Sequence, residues 1–220
     1  MMIKLYRISA VENERVVKIL SKLFSENYGV YNTSGEPIML SPRMWEQKFS
    51  IDSVIVAVGT GILNWEYEDV LGYCTFRNYA APNTQHHNTA ITSLCVKRQY
   101  RRNRVATYMI DDIVNSISPG SLLSVATRNP VVLDLIALRP DMELIQPPLE
   151  DGSGIIINAK FSYIYNCYFN ETFTQIMSDF PVRQEIDGPM MEEKLDFWKN
   201  TLGELEYPGN EWIIICKKGN

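Results

Sequence analysis

The sequence predicts an α/β (α+β) protein, with a mixed, mostly antiparallel twisted sheet flanked by helices and a partly helical C-terminal addition. Short alternating or continuous apolar runs of strand length recur along the chain. Three of them follow one another across residues 53–96 with hairpin-type loops between, as in an antiparallel meander. Amphipathic runs at helical spacing separate the others, so that residues 2–139 read in the order β-α-α-β-β-β-α-β-α.

Residues 2–8 alternate apolar and polar as a half-buried strand, and Ser9-x-x-Glu12 reads as a capping box opening a helix. Val16, Ile19, Leu20 and Leu23 keep one face of that helix until Asn27 and Gly29 end it. Gly35, Pro37 and Pro42 mark a turn-rich stretch, and a short helix follows over 43–50, where Met44, Trp45 and Phe49 are placed on one face. The meander strands are Ser53–Val58, 70–77 and 89–96. Val105, Met109, Ile113 and Ile117 define the best helix in the chain, which Ser116 and Pro119-Gly120 stop. Leu122–Thr127 is a further strand, after which Asn129 is a helix N-cap with Pro130 in the tolerated first position and Pro140 as the limit.

Pro147, Pro148, Gly152 and Gly154 mark a loop. Beyond it, Phe169, Phe173, Ile176, Met177 and Phe180 suggest one helix, and Met191, Leu195, Trp198 and Leu202 suggest another between Pro189 and Gly203. Residues 212–217 close the chain as a buried strand. The division is a core over 1–150 and an addition over 151–220 whose last strand returns to the core, together one structural domain. The composition, 45% hydrophobic and 21% charged, suits an ordinary globular protein with a sizeable core. The apolar runs are too short to span a bilayer, the N-terminus lacks the pattern of a targeting segment, and the expected location is cytoplasmic. Cys74, Cys95, Cys167 and Cys216 are far apart, and the two histidines are adjacent, so neither a disulfide framework nor a metal site is expected.

The net charge is −5, so the chain as a whole repels nucleic acid and anionic membranes, and any bound anion needs a local site. Lys97, Arg98, Arg101, Arg102 and Arg104 supply one, five of the chain's 21 cations within eight residues. This basic turn joins a strand directly to the amphipathic helix from Val105. Unpaired amides in a helix's first turn, with the helix dipole, attract anions, and arginines add bidentate donors.

The segment resembles the cofactor-binding motif of the GNAT superfamily of N-acetyltransferases, Q/R-x-x-G-x-G/A. Arg101 takes the first position, Arg104 stands where the first glycine would, and Ala106 takes the last. Tyr100, Val96 near the end of the preceding strand, Asn129-Pro130 at the next β-α junction, and the element order over 2–139 extend the likeness. The resemblance implies acetyl-coenzyme A as cofactor. It implies binding by Leu94, Cys95 and Val96 on a splayed strand, by Arg101, Arg102, Asn103, Arg104, Val105, Ala106 and Thr107 around the pyrophosphate, and by Asn129. Arg104 is expected at negative φ with its side chain outward, leaving its amide usable.

The implied reaction is direct attack of an amine on the acetyl thioester, with strand amides stabilising the oxyanion. The acceptor is an unidentified amine, and a homodimer is allowed. Cys95 reads as a small hydrophobe of the strand and not as a nucleophile. Two groups could move protons. His87, beside His86, is the nearest base at the start of the splayed strand, where residues 90–93 read Ala-Ile-Thr-Ser. Tyr165, with Tyr163 and Tyr168 around it, offers a hydroxyl from the addition, because the family's tyrosine position is occupied by Ile136. The competing reading is a GNAT-fold binding or regulatory protein that has lost catalysis. Nucleic-acid recognition is disfavoured by the charge.

Overall fold

The computed structural model describes residues 2–9, 13–31, 34–59, 66–80, 87–145, 168–169, 175–177, 182–183, 189–205 and 209–220. In chain order the elements are β1 (Lys4–Ser9), α1 (Glu14–Asn27), β2 (Val30–Tyr31), α2 (Pro42–Phe49), β3 (Ser53–Val58), β4 (Val70–Ala80), β5 (His87–Val96), α3 (Val105–Ser116), β6 (Leu122–Thr127), α4 (Pro130–Ala137), β7 (Met142–Ile145), β8 (Tyr168–Phe169), β9 (Gln175–Met177), β10 (Val182–Arg183), α5 (Pro189–Leu202) and β11 (Glu211–Lys218). The main sheet runs β1-β3-β4-β5-β6-β11-β9-β8, with β7 also paired to β11. The β5–β6 pair is parallel, as α3 crossing between them requires. The other pairs described are antiparallel. This is the mixed, mostly antiparallel sheet expected from the sequence.

Apolar side chains from the two faces form two cores. On one face α3, α4 and α5 pack through Met109, Ile110, Ile113, Leu133, Ile136 and Trp198 against Ile55, Leu71, Val125 and Ile214. On the other, α1 and α2 pack through Leu20, Leu23, Trp45 and Phe49 against Val54, Val56, Tyr73 and Cys95. The alternation of a strand sends neighbouring residues to opposite cores, as Ile55 and Val56 show. Among the described residues, no helix is long and apolar enough to cross a membrane.

Three expectations need correction. The Ser9 capping box does not form. Ser9 pairs with Ser53 at the end of β1, and the cap of α1 is Asn13, whose side chain accepts from the Arg15 amide at 2.9 Å. Met44 is largely exposed while Trp45 and Phe49 are buried, so α2 offers a narrower apolar face than expected. The helix expected around 169–180 is replaced, in its described parts, by the antiparallel pair β8 and β9. β7 covers β11 only from Ile215 to Lys218, and β9 takes the start of the same edge, with Ile176 opposite Glu211 and Gln175 opposite Trp212. An open edge adjoining a buried strand outweighs an apolar spacing that suits either structure. β7 itself, and the small pair of β2 with β10, were also unexpected. The short helix 98–100 between β5 and α3 tightens the basic turn.

Candidate active site

β5 and β6 pair at only three positions, Thr89 with Leu123, Ala90 with Ser124 and Ile91 with Val125. Beyond these the strands part, and a narrow cleft opens between them, with Ser93 and Leu94 on one wall and Ala126 and Thr127 on the other. The register on the other side of β5 shifts in the same region, where Thr75 faces Ser93 but Phe76 faces Ile91, leaving Thr92 as the extra residue. Thr92 donates its hydroxyl to Asp52, and Arg77 reaches the other carboxylate oxygen of Asp52 from Nε at 2.8 Å. A buried ion pair therefore sits where β5 bends away from β6.

A second, larger cleft continues from the first, and Tyr28, Leu94, Asn129 and Val132 line both. It runs along the end of β5, past the basic turn, to the start of α3. Of the residues expected to bind the cofactor, Leu94, Cys95, Val96, Arg101, Arg102, Arg104, Val105, Ala106, Thr107 and Asn129 line this one cleft. Asn103 does not. Its side chain instead donates to the Arg101 carbonyl at 3.1 Å and closes the turn.

Arg104 is the N-cap of α3, and no side chain caps that helix. The first-turn amides thus meet the cleft without a competing side-chain acceptor, which suits an anion. The expected negative φ is not found. Arg104 lies at φ 62° and Arg102 at φ 64°, both in the left-handed region that glycine adopts without strain. The side chain of Arg104 does point outward, with its guanidinium 5.4 Å from the centre of the Tyr108 ring. The chain thus reaches the glycine conformation with arginines and keeps the space over the amides clear of this side chain.

Sequence reading missed the end of α1. Arg101 donates to the Asn27 carbonyl at 2.7 Å, and the Arg98 amide donates to Asn27 Oδ1 at 3.0 Å, so the basic turn is fastened to α1. Tyr28 follows, stacked on Phe24 with ring centres 4.2 Å apart. Burial raises the phenol pKa of Tyr28, and the nearby Glu211 and Cys95 add to the shift. Burial pushes the Cys95 thiol up to about 12, consistent with a core hydrophobe. Glu211 opens β11, beyond the Trp212–Thr127 pair, and its carboxyl is pushed up to about 8 by burial, against the attraction of Arg128.

His87 opens β5 opposite Ala80, seven residues before Leu94 and so about 23 Å along the strand at the usual rise. His86 and Tyr165 lie outside the described residues. Ile136 is fully buried in the core, so this position brings no hydroxyl to the cleft.

No family model matches the sequence, and no curated protein matches it. Among solved structures, the chain is similar to one in the NatC complex bound to Gag peptide and CoA, at 14% identity over 98% of each chain and a TM-score of 0.48. It is similar to NAA60 of Arabidopsis thaliana in complex with a bisubstrate analogue, at 17% identity over 66% of this chain and 86% of that one, with a TM-score of 0.43. The IAA acetyltransferase from Bacillus cereus is similar at 12% identity over 97% of this chain and 98% of that one, with a TM-score of 0.43. The ligands named with those structures are theirs. On its own topology, the chain has the architecture that the sequence resemblance implied: a mixed, mostly antiparallel sheet with two parallel strands splayed apart, one of them running through a turn into an uncapped helix.

Proposed function

We propose that the protein is an N-acetyltransferase that moves an acetyl group from acetyl-coenzyme A to an amine by direct attack. One observation carries this reading: the splay between β5 and β6 opens into a cleft that continues to the uncapped start of α3. A chain of amide, apolar and cationic surface suits a ligand with a thioester at one end and phosphates at the other. The fit of the phosphate end rests on the backbone, because Arg102 and Arg104 at positive φ give the turn a glycine-like path with the Arg104 side chain turned away. Amides from Arg104 to Thr107 and the guanidiniums of Arg101 and Arg102 would hold the pyrophosphate, with Leu94, Cys95 and Val96 along the pantetheine and Asn129 on the opposite wall. Bound there, acetyl-coenzyme A supplies an activated carbonyl and a thiolate leaving group.

Within this reading the protein's part is to bind, to orient, and to offer strand amides to developing negative charge, each such donor being worth about 3 kcal/mol. His87 and Tyr165 are the sequence-derived candidates for proton transfer, and His87→Ala and Tyr165→Phe test them. Calorimetric titration with acetyl-coenzyme A and with desulfo-coenzyme A tests the cofactor. Micromolar binding of both is expected, with a rise in melting temperature at saturating ligand. No binding and no thermal shift at millimolar cofactor would remove the reading. The buried Ile136 and the stretch Ala-Ile-Thr-Ser at 90–93 favour the alternative of a GNAT-fold regulatory protein that binds cofactor without turnover. Binding without acetylation across a broad panel of amines is the outcome that selects it.

A further inference from the structure

From the side chains that line the larger cleft, we infer that α5, a helix of the C-terminal addition, is part of the cofactor site: Met191 completes an apolar wall begun by α4, and Asp134 positions it. This inference rests on the acetyltransferase reading and extends the site beyond the strand, turn and helix that carry the motif.

Val131, Val132 and Leu135 of α4 line the larger cleft, and Met191, from the first turn of α5, lines it with them. Together with Leu94 and Val96 at the end of β5, they supply the apolar part of a cleft whose cations come from the basic turn. Val131 and Leu135 are one helical turn apart, and Asp134, next to Leu135, reaches across to α5. Its two carboxylate oxygens accept separately, one from Trp198 Nε1 at 2.8 Å and the other from the Lys194 ammonium. Met191, Lys194, Leu195 and Trp198 recur at helical spacing, so the face of α5 bonded to α4 is the face that carries Met191. Trp198 is fully buried and Leu195 packs on the same core. At the other end of the helix, Gln175 donates to the carbonyls of Leu202 at 3.3 Å and Glu204 at 3.0 Å, and Trp212 donates to that of Gly203 at 2.8 Å. The helix is thus held along its length, and its first turn is delivered to the cleft.

The residue types suit an apolar stretch of ligand that leads to phosphates. Glu192 and Glu193 are exposed and do not line the cleft, so α5 turns an uncharged thioether to it and keeps its first carboxylates outside. A carboxylate in that place would repel a pyrophosphate, whereas a flexible, polarisable thioether can cover the apolar carbons of the cofactor's arm. Met191 is half-buried in the free protein, which leaves surface for a ligand to cover. A ligand lying against Met191 also holds α5, so cofactor binding and the docking of this helix strengthen each other.

Desulfo-coenzyme A, which has no thiol to react, is the probe. In calorimetry, Met191→Ala is expected to weaken its binding by roughly tenfold, and Met191→Leu, which keeps the apolar volume, by no more than about threefold. Asp134→Ala should weaken it as well, and the double variant with Met191→Ala should lose little more than Met191→Ala alone, because both changes act through one side chain. Additive losses would overturn the positioning role given to Asp134. Dilute peroxide with mass spectrometry reads the contact directly in the wild-type protein, since it turns an accessible thioether into a sulfoxide. Saturating desulfo-coenzyme A is expected to slow oxidation of Met191 by roughly fivefold or more and to leave Met39 and Met44, exposed and outside both clefts, unchanged. Binding with wild-type affinity in Met191→Ala, or binding that leaves Met191 oxidising at its free rate, would overturn the inference alone. No binding to the wild-type protein would strike the acetyltransferase reading and this inference with it.

Discussion

The two ends of the cleft are built on different principles. At the end proposed to take the phosphates, backbone amides are arranged by a turn and the start of α3 within nine consecutive residues, 98–106. At the splayed end the walls are side chains from β5, β6 and α4, with Tyr28 just after α1, brought together by the sheet. A backbone-built site tolerates unusual side chains provided the path is kept, which is why two arginines can occupy left-handed positions there. A site built from side chains has no such tolerance and depends on every element that positions it.

The sharpest way to break this contrast is to damage the scaffold of the splayed end. Trp212 is fully buried, belongs to the core under α3–α5, and donates from Nε1 to the Gly203 carbonyl at 2.8 Å. Trp212→Ala is expected to cost about 3–5 kcal/mol in urea denaturation, from the cavity and the orphaned carbonyl. An effect under about 1 kcal/mol would mean that β11 is not held as described.

A second test uses pH. The Glu211 carboxyl has its folded pKa raised from 4.5 to about 8, so between those values the folded protein binds more protons than the unfolded chain. The associated stability is fully present below about pH 4.5 and is lost as pH rises through about 8. Glu211→Gln should flatten that slope in melting temperature against pH. An unchanged slope would place the titrating group elsewhere.

At the phosphate end the expected effects are smaller. Arg101→Ala removes the bond to the Asn27 carbonyl and a cation facing the cleft, and should lower stability by about 1.5 kcal/mol while weakening acetyl-coenzyme A, less so at high salt. Arg104→Gly relieves the positive φ but adds chain entropy and loses the contact with Tyr108. Its net effect on melting is expected within about 1 kcal/mol, with affinity changed by a few fold at most. A sharp gain in affinity would show that the native side chain obstructs the cleft.

The same contrast explains what the sequence made legible. The strand, basic turn and helix over 89–117 are local, so spacing and charge sufficed to find them, and Asn129-Pro130 likewise marked its own junction. Arg104 kept its outward side chain but not its φ, because residue type limits the backbone without fixing it where a turn must close. The cluster of Tyr28, Arg128 and Glu211 had no signal, since it exists only after β11 has inserted beside β6. A glutamate at the start of an apolar run reads as a solvated strand end. The region around 169–180 failed for a related reason: its apolar spacing fits a helix, and only the open edge of β11 selects strands.

Asn27 joins the two ends. Its side chain accepts from the Arg98 amide and donates to the Leu23 carbonyl at 2.9 Å, its own carbonyl holds Arg101, and the next residue is Tyr28. A ligand that stiffens the basic turn therefore also stiffens the hinge from which Tyr28 hangs. Coupling of this kind is reciprocal, so whatever factor the first ligand adds to the affinity of the second, the second returns to the first. On the proposed reading, this link would be read out as dissociation constants for cofactor and acceptor that tighten in pairs.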